Sequence, residues 1–132
     1  MPGKPSGTSE YERLPPMSRY VLGLLRRPDG LPALGQEEAA LLQEGHLAHL
    51  RRLRESGLLI TVGPLEEDTP LRGVLVFRTS SVNEARELMR TDPIVGAGRL
   101  VLELFTWYAP SGLQVAAPET PAPDSGLTFE TD

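Results

Sequence analysis

The sequence predicts a single α+β domain whose elements run β-α-β-β-α-β, and three observations carry that expectation. Two stretches show helical periodicity. Four short stretches are aliphatic and β-branched, and Gly/Pro punctuation separates the elements. A chain of 132 residues with 39% hydrophobic content suits one such domain with one modest core.

Taken in order, "RYVLGLLR" (Arg19–Arg26) is short, apolar and closed by Pro28-Asp29-Gly30, the signature of a strand. From Gln36 to Ser56 the apolar residues recur at helical spacing, and Gly57 supplies the stop. "LLITVGPL" (Leu58–Leu65) is the second strand. Glu66-Glu67-Asp68 belongs to a solvated turn, and "LRGVLVFRT" (Leu71–Thr79) is the third strand. Ser80 or Ser81 caps a second helix reaching about Thr91, with Glu84 placed to complete a capping box. Asp92-Pro93 ends that helix, because proline disfavours helical geometry in the residue before it. "RLVLELFTWYA" (Arg99–Ala109) is the last strand, with Leu100, Leu102 and Leu104 on one face and Thr106 in phase.

Such an order gives a ferredoxin-like, four-stranded antiparallel sheet with both helices on one face. Val21, Val74, Val76, Val101 and Phe105 belong to strands that are apolar on both sides. The second face therefore needs a cover, and a homodimer joined through the sheet face is the simplest one. Residues 1–17 are expected to be a flexible N-terminal arm, 18–109 the folded domain, and 110–132 a Pro-rich tail in which Val115 or Phe129 docks locally.

Composition narrows the function. A net charge of -5, from 13 Lys+Arg against 18 Asp+Glu, offers nucleic acid no broad basic surface. The absence of cysteine excludes disulfides, thiolate metal sites and Cys nucleophiles. The start, "MPGKPSGTSEYERLPPM", has no apolar signal-peptide core, and no apolar run approaches the roughly 20 residues that span a bilayer. No membrane partner and a cytoplasmic location are the expectations.

The first helix carries the chemistry. At about 100° per residue, Ala39, Leu42, His46, Leu50 and Leu53 stack on one side, which puts a titratable ring in an apolar stripe. His49 falls on the flank of that stripe. Gly45 costs a helix interior about 1 kcal/mol against alanine, which close packing would offset. An inward imidazole needs a hydrogen-bond partner, since an unsatisfied buried polar group costs about 1–3 kcal/mol. Antiparallel helices bring the end of the second, at Asp92, toward the earlier half of the first. Asp92 is thus the expected partner of His46, and a core histidine satisfied by a backbone carbonyl is the alternative. His46-x-x-His49 with Asp92 resembles a ligand set, but a flanking His49 leaves it unclosed, and no metal is expected.

The stretches "LQEGHLAHLRRLRESGLLITVGP", "LRGVLVFR" and "SVNEARELMRTDPIVGAGRLVLELFTWY" resemble the YCII-related (YciI-like) family of small proteins. The marks are the helix histidine with its apolar i+4 neighbour, Gly57 leading into Gly63-Pro64, and the Asp92-Pro93 pair. The resemblance implies a dimeric α+β barrel with an active site formed by His46 and Asp92. A characterised relative eliminates HCl from a chlorinated hydroxyquinol. The sequence departs from close relatives at Phe105-Thr106, where they often carry His-Pro.

Two functions follow as expectations. One is a cofactor-independent lyase, dehydrochlorinase or isomerase acting on a small cyclic or aromatic substrate through a His46–Asp92 acid/base pair, with Leu42, His49, Gly63, Pro64 and Phe105 contacting substrate. The other is a non-catalytic module of the same dimeric fold that binds a small ligand or serves assembly.

Overall fold

A computed structural model describes residues 15–116. Most of the expected arm, the tail from residue 117 and Phe129 within it lie outside the described residues. The elements are β1 (Met17–Arg26), α1 (Gln36–Glu55), β2 (Leu59–Pro64), β3 (Leu71–Phe77), α2 (Val82–Met89), α3 (Pro93–Gly96) and β4 (Val101–Pro110). The sheet order is β2-β3-β1-β4, and each neighbouring pair is antiparallel. This is the expected ferredoxin-like topology with one addition, the short helix α3.

Local chemistry explains the boundaries. Gly57, at φ 84°, follows α1 in the left-handed conformation that glycine adopts without a Cβ penalty. At the start of α2, Ser81 Oγ accepts the Glu84 N–H at 3.1 Å, the first half of the expected capping box. The Ser81 N–H instead donates to Thr79 Oγ1 at 3.0 Å, so Thr79 takes the place that a Glu84 carboxylate would fill. The second helix ends at Met89, short of Thr91.

One side of the sheet packs with the helices into a single core. Val21 and Leu25 of β1, Leu75 and Phe77 of β3, Leu50 and Leu53 of α1, and Ala85 and Met89 of α2 all belong to it. Gly23 sits at its centre because large neighbours close over it. A Cβ there would lie 3.2 Å from Phe77 Cε2 and 3.3 Å from Leu104 Cδ2. Val21 therefore faces the helices rather than the second face.

The second face is half covered. Tyr20, Ile60, Val76 and Ala109 are buried on it, with Leu22 and Leu113 against them. Ile60 reaches that face through a β-bulge, since Leu59 pairs with Phe77 while Thr61 pairs with Val76. Leu113 is drawn there by the chain leaving β4. Its N–H donates to the Tyr20 hydroxyl at 3.0 Å, and its carbonyl accepts from Arg78 Nη1 at 3.2 Å. Val101 and Phe105, at 47% and 49% exposure, stay open to solvent.

Candidate active site

The site begins with a glycine. Gly45 brings α1 against the start of α3, where a Cβ on it would lie only 2.8 Å from Pro93 Cγ. That approach sets the next residue of α1, His46, beside the residue before the proline, Asp92. His46 Nδ1 lies 2.6 Å from Asp92 Oδ2, and both side chains are wholly buried. Sequence topology anticipated this pairing.

Asp92 is held from its other side. It is the N-cap of α3 with Pro93 at the first helical position, and its Oδ1 accepts the N–H groups of Ile94 at 2.9 Å and Val95 at 3.1 Å. A proline there lacks an N–H that the helix would leave unpaired anyway. One carboxylate oxygen thus fixes the turn and the other fixes the imidazole. Opposite a carboxylate, Nδ1 carries the proton and donates it.

His49 differs from its expected flanking position. It is buried at 6% exposure, and its Nε2–H donates to the Leu88 carbonyl at 2.8 Å near the end of α2. Because α1 packs closely against the α2–α3 connection, the enclosed side of α1 is wider than the stripe read from sequence. Among the described residues, no three His, Cys, Asp or Glu side chains group to hold a metal ion.

The remaining expected contacts are dispersed. Leu42 packs partly buried against the core. Gly63 pairs with Val74 on the outer side of β2, and Pro64 is the exposed end of that edge strand. Phe105, opposite Leu22, projects from the outer face. Strand alternation therefore puts Gly63 and Phe105 on the side of the sheet away from the helices and the His46–Asp92 pair.

Sequence reading missed the partition beside the pair. A cleft of about 480 Å³ opens between α2 and the start of β4, over Met89, Val95, Leu100 and Leu102. Neither His46 nor Asp92 lines it. The two sites share a wall, because the Asp92 N–H donates to the Met89 carbonyl at 3.1 Å and Val95 N–H donates to Asp92 Oδ1. The signal was present: Asp-Pro after a helix is also an N-cap followed by a first-turn proline.

Comparison with known proteins identifies the family. The model of the YCII-related domain matches residues 18–107. Among solved structures, the chain is similar to the 5-chloro-2-hydroxyhydroquinone dehydrochlorinase of Burkholderia phenoliruptrix AC1100, determined in complex with 2,5-dihydroxybenzoquinone. Identity is 20%, coverage is 67% of this chain and 92% of that one, and the TM-score is 0.49. No curated protein matches the sequence. With the family's domain matching residues 18–107, well over half of the chain, the chain belongs to the YCII-related family.

Proposed function

We propose that the protein is an enzyme that moves a proton on a small cyclic or aromatic molecule without a cofactor, in a lyase or isomerase reaction. The observation that carries this reading is the buried 2.6 Å contact between His46 Nδ1 and Asp92 Oδ2. His46 takes a proton from carbon beside a carbonyl or from a phenol, and Asp92 holds the ring and stabilises its charge. In an elimination, the released C–H electron pair forms the new double bond as the leaving group departs with its own pair. A second copy docked on the apolar outer face, where Val101 and Phe105 are exposed, completes the assembly.

His46→Gln keeps much of the side-chain shape and removes the base. With a panel of halogenated quinols as probes and halide release as readout, the variant is expected to lose about 10²-fold or more in turnover. Turnover equal to wild type would exclude the mechanism. Mass measurement in solution tests the dimer, and a well-folded monomer would exclude it.

The complete burial of both side chains favours one other reading, a binding or assembly module in which the pair fixes α1 against α3. Under it, wild type turns over none of the panel, and His46→Leu lowers stability because it leaves the buried Asp92 carboxylate without its partner.

A further inference from the structure

We propose that the cleft between α2 and the start of β4 binds a small planar organic anion, a ring carrying a carboxylate or phenolate oxygen. Its volume of about 480 Å³ falls within the range of small-molecule sites. Met89, Val95, Leu100 and Leu102 give it an apolar floor. Its charged lining residues are Arg86, Glu87 and Arg90. Arg86 of α2 and Arg90, its C-cap, are one helical turn apart and so project from the same side.

The charge is unusual for this protein. The chain as a whole carries -5, yet this cleft sets two guanidinium groups against one carboxylate. The carboxylate is already engaged, since Arg90 Nε donates to Glu87 Oε1 at 3.2 Å. Arg86 donates through Nη1 to the neutral Asn83 Oδ1 at 2.9 Å, which leaves its full positive charge at the cleft. A flat ring on the aliphatic floor with its oxygen toward Arg86 satisfies both surfaces, because guanidinium presents paired donors to a carboxylate. Glu87 opposes such a ligand. Bound there, the ring lies against Met89 and Val95, whose backbone groups hold Asp92.

Binding at the cleft stands without catalysis, and only the identity of the anion as substrate rests on the function proposed above. The test is titration of the full chain with benzoate, followed by the backbone amide signals. Benzoate is expected to shift the amides of residues 86–90 and 95–102, and benzyl alcohol, the neutral analogue, to bind more weakly. Arg86→Ala should weaken benzoate about 3–10-fold, the scale of one charged pair at a partly wet site. Glu87→Gln should tighten it, and Arg52→Ala on α1 should leave it unchanged. These side chains are exposed, so the variants fold. His46→Gln should retain benzoate whether or not turnover is lost, which separates this inference from the catalytic one. Shifts located elsewhere, no shifts at all, or an affinity indifferent to Arg86 and Glu87 would overturn it.

Discussion

The two histidines of α1 are three residues apart on one helix, both are buried, and they have been given different partners. His46 meets a carboxylate from the α2–α3 connection, and His49 meets the Leu88 carbonyl. A carbonyl accepts one hydrogen bond and fixes a tautomer. A carboxylate does that and also stabilises a positive ring. The same side chain thus meets a neutral acceptor at one position and a charged one at the other. Burial does not separate them, and the partner's charge does.

The comparison can be broken hardest at Asp92. Asp92→Ala removes the partner of His46 and the cap of α3 together, and is expected to cost about 3–5 kcal/mol in denaturant titration. A loss below about 1 kcal/mol would mean the carboxylate is no more than another acceptor. Gly45→Ala comes next. Overpacking against Pro93 costs about 1–3 kcal/mol, and alanine's helix propensity offsets about 1 of it, so a net loss of up to about 2 kcal/mol is expected. A stabilised variant would show that the close approach does not set the site. The smallest effect belongs to His49→Gln, which keeps an amide N–H for the Leu88 carbonyl. It should change stability by about 1 kcal/mol or less and leave turnover intact. Turnover that fell as far as in His46→Gln would erase the distinction between the two rings.

Much of this was legible in the sequence because it depends on periodicity and punctuation. The stripe through Ala39, Leu42, His46, Leu50 and Leu53, the stop at Gly57 and the alternation in β4 are local signals, and topology then brings Asp92 toward α1. What stayed hidden depends on three-dimensional closeness. The depth of His49 comes from the approach at Gly45, which one helix's periodicity cannot report. The cleft is made by α2, α3 and β4 jointly, and α3 is only four residues long, too short for periodicity to reveal. Gly63 and Phe105 show the converse limit. Their motifs are readable in order along the chain, but strand alternation turns both away from the helices.

The closing stitch of the fold has an engineering consequence. Met17 pairs with Pro110, and the Ser111 N–H donates to the Pro16 carbonyl at 2.8 Å, so the start of β1 and the end of β4 already touch. A linker of a few residues between them closes the backbone into a ring without bending either strand. New termini then fit in the solvent-facing turn at residues 66–70, between β2 and β3. Such a circularly permuted chain keeps α1, α3 and both histidine contacts intact, so the order of residues along the backbone is separable from the chemistry it supports.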